Sequence, residues 1–474
     1  MKVYVFGIGG TGSRVLRAAT MLLASGVECK ADAIVPIIID PDAAGGDVER
    51  TATLMRQYGE IRSKLDFSSK KQNRFFSTEI METMPNFRLP LDNTDDCRFD
   101  EFIKLSGMTK ENKALAKLLF SQNNLDSDMK VGFKGHPNVG SVVLNQFEGS
   151  YYFQNFANDF TAQDKIFIIS SIFGGTGASG FPLLLKTLRT SDKIANPNLV
   201  NNAHIGTITV LPYFQVKQDE ESSIDSATFV SKAKSALSYY LRAISRNNAI
   251  DNLYYVGDDT RTTYENVEGG AEQKNNAHFV ELISALALID FANSQNPNSD
   301  RSHADNLQTV HKEYGIETDS NEITFDDLGP KTRTLLRKPM TQFNLFTKYM
   351  NENSSFLSQP WAVDRSLDKS FFEKDFINTL RKIQKEYLNW LSEMTSQQRA
   401  FTPFNLHCDP NRVFDLVKGV SPRRLMTIDT NYHLFDNRLN RTVGESKTGE
   451  REQQFTELFY LATKRLVEEK LNID

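Results

Sequence analysis

The chain has 474 residues, more than one ordinary hydrophobic core accommodates, so two closely packed domains are expected. Hydrophobic residues make up 39% and charged residues 24%, which excludes an intrinsically disordered chain. The formal net charge of −5 is spread over a large surface and argues against nucleic acid as the main partner, because phosphate binding needs a concentrated basic face.

The cysteines and the apolar runs indicate the cellular compartment in which the protein is expected. Cys29, Cys97 and Cys408 lie far apart and form no CxxC pair, so neither a disulfide framework nor a zinc site is predicted. The first residues form a strand-like run rather than a signal peptide. The apolar runs are much shorter than the roughly 20 residues that a membrane helix needs. We therefore expect a cytoplasmic protein without a membrane span.

Through about residue 260, short apolar runs alternate with segments of helical periodicity. The runs predicted to be buried strands are residues 3–6, 34–39, 166–172, 205–211 and 253–256. The segments predicted to be helices are residues 13–25, 139–159, 180–189 and 225–246. This alternation predicts an α/β fold with a doubly wound, mainly parallel sheet, on which ligands bind at the carboxyl ends of the strands.

Residues 41–130 form a long polar insertion between the second strand and the next glycine-rich loop. Within it, the charged run Lys64–Arg74 and the acidic tract Asp92–Asp100 are interpreted as solvated surface. Residues 276–293 are apolar on most sides, which predicts a buried central helix. The stretch Asn293–Ser302 is the best candidate for a linker.

Amphipathic helices are predicted near residues 370–392 and 451–470, as core elements of a second domain or as partner-docking elements. The predicted organisation is a nucleotide-binding domain over residues 1–274, a central helix over residues 275–294 and an α+β C-terminal domain over residues 295–474.

Two glycine-rich loops, each between a strand and a helix, carry the strongest chemical signal. The first is Gly7–Ser13, with the sequence GIGGTGS, and the second is Gly174–Gly180, with the sequence GGTGASG. Glycine lets backbone N–H groups approach phosphate oxygens closely, and a helix N-terminus adds a favourable dipole. No lysine follows the second loop in a GK[ST] arrangement, so it is not a Walker A loop. Two such loops on different strands suit one polyphosphate held from two sides.

A third loop, Gly132–Gly140, reads GFKGHPNVG and precedes another helix. Its pattern fits a phosphate contact or an ordinary turn with a helix cap. Beside a triphosphate, the charged form of His136 would be favoured, and nucleotide affinity would then depend on pH.

In this order the three loops resemble those of the tubulin/FtsZ superfamily of GTPases, over about residues 1–294. The first loop matches the family pattern GxGGxGN, with Ser13 in the place of the asparagine. The third keeps the spacing of GxxxGNPxxG, with His136 in the asparagine's place. Gly174–Gly177 resembles part of the signature loop GGGTGTG, whereas Phe173 and residues 178–179 depart from it. The chain is thus similar to a divergent bacterial tubulin-like protein.

This resemblance implies a site for GTP or GDP with Mg²⁺, in which Asp42 orients the hydrated cation near the phosphates. The base would be held at the start of the central helix. A turn, a helix cap or core packing would explain Asp42 and the residues at the helix start equally well. The resemblance assigns these residues to the nucleotide: Gly9, Gly10, Thr11, Gly12, Asp42, Gly135, His136, Pro137, Asn138, Gly174, Gly175, Thr176, Gly177, Ser179, Asn275, Asn276 and Phe279.

Hydrolysis in the family requires an acidic loop, NxDxxD, that follows the central helix and reaches the nucleotide of the next subunit. Asp290 in the run DFAN is a candidate for one acid, but Asn293 replaces the second, and Asp300 is the other candidate. The resemblance implies head-to-tail self-association, or association with another protein. A heterologous contact of this kind forms filaments when its rotation does not close.

Two other interpretations remain open. A Rossmann-type NAD-dependent or adenylating enzyme would use the first loop, with Asp40 at the end of the second strand binding ribose. A non-hydrolysing scaffold would instead hold the nucleotide as a structural cofactor within a multiprotein complex.

Overall fold

The computed structural model describes residues 1–42, 44–68, 72–94, 97–129, 132–133, 135–217, 228–243, 249–260, 262–265, 267, 269–295, 308–313, 320–353, 356–423, 432–445 and 449–473. Its strands are β1 (Lys2–Ile8), β2 (Ala33–Ile39), β3 (Glu79–Ile80), β4 (Lys165–Ser171), β5 (His204–Val210), β6 (Phe214–Val216), β7 (Asn252–Val256), β8 (Thr262–Tyr264), β9 (Val310–Glu313), β10 (Glu322–Ile323) and β11 (Ala400–Phe401).

Seven strands form one parallel sheet in the order β3-β2-β1-β4-β5-β7-β9. The side chains of β1, β2, β4 and β5 are almost entirely buried, because helices cover both faces of the sheet. The predicted doubly wound, mainly parallel sheet is confirmed, and all five predicted strands belong to it.

The helices surround this sheet and form most of the C-terminal region. They are α1 (Gly9–Ala24), α2 (Gly46–Arg62), α3 (Phe99–Phe102), α4 (Lys110–Leu119), α5 (Gln122–Leu125), α6 (Pro137–Val143), α7 (Tyr151–Asp159), α8 (Gly175–Thr190), α9 (Pro197–Asn201), α10 (Phe229–Ala243), α11 (Phe279–Asn293), α12 (Pro330–Glu352), α13 (Pro360–Val363), α14 (Lys369–Phe372), α15 (Asp375–Thr395), α16 (Tyr432–Thr442) and α17 (Arg451–Leu466).

Helix boundaries differ from the sequence expectations at three places. The helix predicted over residues 139–159 is two helices, α6 and α7, with a short 3₁₀ turn at Phe147–Gly149 between them. The helix predicted over residues 370–392 is likewise divided into α14 and α15. Helix α1 begins at Gly9, inside the predicted loop, because the glycines themselves form its first turn.

The segment interpreted as an insertion contributes to the main sheet. Helix α2 packs against α1, and β3 pairs with the first two residues of β2. Acidic Asp47 and Glu49 in the first turn of α2 suit its positive helix end. Residues 46–62 and 79–80 therefore belong to the sheet and to the helices that pack on it.

Helix α11 is the central helix that the sequence predicts. Of its fifteen residues, thirteen are buried, and it packs against α1, β4, β5 and β7. His278 caps the N-terminus of this helix, because its Nδ1 accepts from the Val280 N–H. The Glu281 carboxylate accepts from the His278 N–H in return, which completes a capping box.

The C-terminal region is mostly helical, with a single short parallel pair, β10 and β11, in the part that is described. Strand β9, which follows the predicted linker, pairs with β7 at the edge of the main sheet. The predicted domain boundaries stay a prediction. None of the helices in the described ranges combines the length and apolar character that a bilayer crossing requires.

Candidate functional site

A cleft lies at the carboxyl ends of β1, β2, β4 and β5, where ligands bind on sheets of this kind. Its empty space, including the part open to solvent, is about 970 Å³, a size suited to a small-molecule ligand. Ten residues assigned from the sequence line it: Gly9, Gly10, Thr11, Asp42, Gly135, Gly174, Gly175, Thr176, Gly177 and Asn275.

The first two glycine-rich loops face each other across this cleft. A Cβ atom on Gly9, whose φ is +72°, would lie 3.3 Å from the Thr176 side chain. Helices α1 and α8 both begin at these loops, with neither a capping side chain nor an acidic residue in the first turn. The first N–H groups of a helix have no partner within the helix, so two sets of donors and two positive helix ends line the same cleft. This arrangement suits a polyphosphate.

Other glycines are required by close packing. A Cβ atom on Gly12 would lie 2.4 Å from the Gly7 carbonyl carbon, and one on Gly177 would lie 2.5 Å from the Ser171 carbonyl oxygen. A Cβ atom on Gly10 would meet only an Arg14 guanidinium nitrogen, at 3.5 Å. Gly12 and Gly177 therefore fix the turns, whereas Gly10 leaves space beside the cleft.

The third loop packs directly against the second. A Cβ atom on Gly175 would lie 3.0 Å from the Gly135 backbone nitrogen, and Gly135 has a φ of +76° that suits glycine. Lys232 on α10 donates to the Gly135 carbonyl at 3.1 Å. Gly135 lines the cleft, so the third loop closes one side of the site.

Four other predicted residues of these loops have different neighbours. The Ser179 hydroxyl donates to the Gly175 carbonyl at 2.7 Å. The Asn138 amide donates to the Asn124 side chain at 3.4 Å. Pro137 is the first residue of α6, and the backbone N–H of His136, its N-cap, donates to Phe133. None of these four side chains is among the described residues that line the cleft, and their contact with a nucleotide stays a prediction.

A buried arginine in the wall of the cleft was not found from the sequence. The guanidinium of Arg14 on α1 donates to Glu281 at 2.6 Å, to Asp47 at 2.9 Å and to the Tyr213 hydroxyl at 2.9 Å. It also lies 3.4 Å from the Thr11 hydroxyl. All of these groups are buried, and they tie the first loop to α2 and to the start of the central helix.

Two aspartates after β2 also lie in the cleft. Burial raises the pKa of Asp40 to about 7, and the neighbouring carboxylates of Asp42 and Asp47 raise it further. The hydrogen bond from the Asp42 N–H and the charge of Arg88 lower this pKa and offset part of the rise. The Asp40 carboxylate accepts from the Asp42 N–H at 3.0 Å. The Asp42 carboxylate accepts from Gly270 at 2.6 Å. Both aspartates thus hold the loop in place, and a cation beside them would relieve their mutual repulsion.

The segment before the central helix forms another wall of the cleft. The Gly46 N–H donates to the Gly270 carbonyl at 3.1 Å, and the Asp47 N–H donates to the Gln273 carbonyl at 3.1 Å. These bonds hold Gln273 and Asn275 against the cleft. Asn275 therefore lines the cleft, and its contact with a nucleotide stays a prediction.

Three aromatic rings form what is here called the aromatic end of the cleft, and one of them, Phe173, directly precedes the second glycine-rich loop. Phe173 lies 5.5 Å from Phe214 and 5.0 Å from Phe229 between ring centroids, and all three line the cleft. Phe279 instead packs against Phe401, at 5.0 Å, and the Asn276 carbonyl accepts from the Tyr264 hydroxyl at 2.8 Å. Phe279 and Asn276 are not among the described residues that line the cleft.

Asp290, a candidate catalytic acid, lies near the amino ends of the strands, whereas the cleft lies at their carboxyl ends. Its carboxylate accepts from Lys312 at 2.5 Å and from the Tyr254 hydroxyl at 2.7 Å. Lys165, the first residue of β4, donates to the Phe291 carbonyl, so this end of α11 lies at the amino ends of the strands. Asp290 cannot reach the cleft of its own chain. Asp300 lies outside the described residues.

A signal for the missed arginine does exist in the sequence. Arg14 and Glu281 are charged residues in largely apolar helices, and buried charges are normally paired. The aromatic residues had no comparable signal, because Phe214 and Phe229 come from separate segments that only the fold brings together.

The described residues contain no group of three or more His, Cys, Asp or Glu side chains that could hold a metal ion. Mg²⁺ binds through one or two carboxylates together with phosphates and water, so Asp40 and Asp42 fit such an ion only with a phosphate ligand present.

No protein-family model matches the chain, and no curated protein matches it. Its structure is similar to that of CetZ2 from Haloferax volcanii, solved as a GTPγS-bound protofilament, at 14% identity over 62% of this chain and 58% of that one, with a TM-score of 0.31. It is also similar to the GDP-bound monomer of CetZ1 from the same organism, at 16% identity over 58% and 56%, with a TM-score of 0.30. CetZ from Methanosaeta thermophila matches at 16% identity over 63% and 57%, with a TM-score of 0.28.

The matched regions span less than two thirds of each of these proteins. Similarity at this level carries no activity or assembly over to this chain, and the resemblance to the tubulin/FtsZ superfamily stays an expectation from the chain's own loops and central helix.

Proposed function

We propose that the chain binds a guanine nucleotide, GTP or GDP, in the cleft, with its phosphates between the first turns of α1 and α8. The observation that carries this proposal is the close approach of two glycine-rich loops, because a Cβ atom on Gly9 would lie 3.3 Å from the Thr176 side chain. Each loop opens a helix without a capping side chain, so the backbone donors of both are directed to one anion. The rings of Phe173, Phe214 and Phe229 would pack against the base.

The carboxylates of the cleft make this binding dependent on a divalent cation. Asp40 and Asp42 are both buried beside the phosphate position, where they would repel a polyphosphate. A Mg²⁺ ion held through water by Asp42, with Asp40 beside it, would supply the missing positive charge.

Thermal unfolding with different nucleotides tests the proposal. A ligand that binds only the folded state adds about 2.7 kcal/mol at a hundredfold excess over its Kd. GTP and GDP with Mg²⁺ should raise Tm, whereas ATP, NAD and GTP with EDTA should raise it much less. Protection by NAD alone would instead support the Rossmann-type enzyme. That enzyme would use the first loop, but it would give the second loop no role.

We infer further that any hydrolysis occurs between chains that associate head to tail. Asp290 lies near the amino ends of the strands, whereas the cleft lies at their carboxyl ends. Only the nucleotide of another chain is therefore within its reach. Phosphate release per chain should then rise steeply with protein concentration, and Asp290→Asn should lower it without changing nucleotide affinity. Release that is independent of concentration would contradict this inference.

The non-hydrolysing scaffold is supported by a different observation. Lys312 and Tyr254 both bind the Asp290 carboxylate, which leaves it less free to orient water. In this second proposal the nucleotide is recovered intact after denaturation and phosphate release stays near zero at every protein concentration. Cytoplasmic location and bacterial origin remain predictions from the sequence.

A further inference from the structure

A second cleft, here called the basic groove, lies on the side of the sheet where the strands begin, away from the cleft proposed for the nucleotide. Its walls come from the loop between α1 and β2, from the segment before β3, from α12 and from α17. The residues that define it are Arg74, Lys331, Lys338, Gln342, Tyr460 and Lys464. Its empty space, including the part open to solvent, is about 1390 Å³, larger than that of the nucleotide cleft.

The groove collects positive charge in a protein whose net charge is −5. Four cationic side chains from three separate segments line it, against one carboxylate, Glu28. Lys338 pairs with Glu468 at 2.7 Å. Across the described ranges, Arg74, Lys331 and Lys464 form no ion pair. Like charges that converge without counter-charges favour the binding of an anion.

A buried amide in the same groove also lacks a partner. Gln342 is only 3% exposed, and its Nε2 has no hydrogen-bond acceptor among the described residues. A buried donor without an acceptor destabilises the folded protein, whereas an acceptor on a ligand would satisfy it. The groove therefore offers a neutral donor in addition to its charges.

The spacing of the charges indicates an extended ligand. Lys331 and Lys338 are seven residues apart on α12, which places them about 10 Å apart along the helix. One phosphate group is too small to span this length of the groove, whereas about three residues of an extended peptide span it. Tyr460 is the only aromatic ring among the described residues that line the groove, which disfavours single-stranded nucleic acid, because its bases need stacking platforms.

From these observations we propose that the basic groove binds an extended acidic peptide segment of a partner protein. Its carboxylates pair with Arg74, Lys331 and Lys464, and a backbone carbonyl accepts from Gln342. The site is independent of the nucleotide cleft and does not rest on the function proposed for it.

Fluorescence anisotropy with the full chain tests this site. The probe is a fluorescein-labelled decapeptide of alternating glutamate and serine, and the comparison peptides carry glutamine for glutamate. The acidic peptide should bind saturably, and Arg74→Glu with Lys331→Glu should weaken it by about tenfold or more. The matched control, Lys382→Glu with Lys385→Glu, reverses two exposed charges in a different cleft and should change affinity less than about twofold.

The variant Gln342→Leu separates binding from folding. It removes the unpartnered amide, so it should raise Tm while it lowers affinity for the acidic peptide. An amide with only a structural role would lower Tm and leave affinity unchanged.

Three results would overturn the proposal. They are no saturable binding of the acidic peptide, an equal loss of affinity in the control variant, and tighter binding of fluorescein-labelled oligothymidylate or inorganic phosphate than of the peptide.

Discussion

The two ends of the cleft in which we propose a nucleotide are built differently. The end proposed for the phosphates, here called the phosphate end, consists of backbone: Gly9 and Gly10 on one side and Gly174–Gly177 on the other present N–H groups from two helix ends. The other end consists of side chains, the rings of Phe173, Phe214 and Phe229, which come from three separate segments. A backbone site leaves a glycine pattern in the sequence, whereas a side-chain site assembled from distant segments leaves none.

Arg14 connects the two ends. Its guanidinium reaches Thr11 beside the phosphate end and the Tyr213 hydroxyl beside the aromatic end, while Glu281 and Asp47 balance its charge. Substitutions at this arginine and at each end should therefore separate what the fold needs from what the ligand needs.

The largest effect is expected from Arg14→Met. It leaves Glu281 as a buried carboxylate without its cation and leaves Asp47 paired with Arg50 alone, which should cost about 3–5 kcal/mol of unfolding free energy. The control is Arg56→Met, which removes an exposed ion pair with Glu49 and should cost less than about 1 kcal/mol. Urea unfolding measures both. Similar losses in the two variants would mean that the buried network does not connect the ends.

Two glycine variants should distinguish a glycine that the turn requires from a glycine that leaves space for the ligand. Gly12→Ala places a Cβ atom against the Gly7 backbone and should destabilise the fold by about 1–3 kcal/mol. Gly10→Val meets only Arg14, so Tm should change little, while the added side chain obstructs the cleft and lowers nucleotide affinity by about tenfold or more. Unchanged affinity in Gly10→Val, by calorimetry, would remove the phosphates from this position.

Asp40→Asn should raise the stability of the folded protein at pH 8 and weaken the dependence of nucleotide binding on Mg²⁺. Because the pKa of Asp40 is raised to about 7 in the folded protein, its contribution to stability is full below the unfolded pKa of about 3.9 and is lost as pH rises through 7. The variant should therefore be more stable than the parent at pH 8, by roughly 1–3 kcal/mol, and less dependent on pH between 4 and 7.

The same variant should bind nucleotide with a weaker dependence on Mg²⁺. Asp192→Asn, at an exposed position, serves as its control and should change neither property. Unfolding curves at several pH values decide the question, and a parent protein that gains stability between pH 4 and 7 would contradict the assignment.

The smallest effect concerns the aromatic end. Phe214→Leu keeps an apolar side chain but loses the ring, and should weaken nucleotide binding about three- to tenfold, the value of one aromatic contact. Phe279→Leu is the matched control, because the sequence assigned the base to Phe279 whereas its ring packs against Phe401. Calorimetric affinities that fall in Phe279→Leu and not in Phe214→Leu would support the sequence assignment instead.

These contrasts show which features of the fold and of the cleft could be predicted from the sequence. Buried strands and glycine loops are local patterns, so the parallel sheet, the central helix and the place of the glycine loops at the ends of the strands could all be predicted. The break between α6 and α7 could not, because both halves keep the same apolar periodicity. The aromatic end and the basic groove could not either. Arg74 and Lys464 are far apart in the chain and read as ordinary surface charges until the fold brings them together.

The most direct test of the central claim is the identity of the nucleotide that co-purifies with the protein, released by denaturation and separated by chromatography with mass detection. The two facing loops predict GTP or GDP with the parent chain and none with Gly10→Val. Recovery of NAD or an adenine nucleotide, or of the same nucleotide from both chains, would contradict the account.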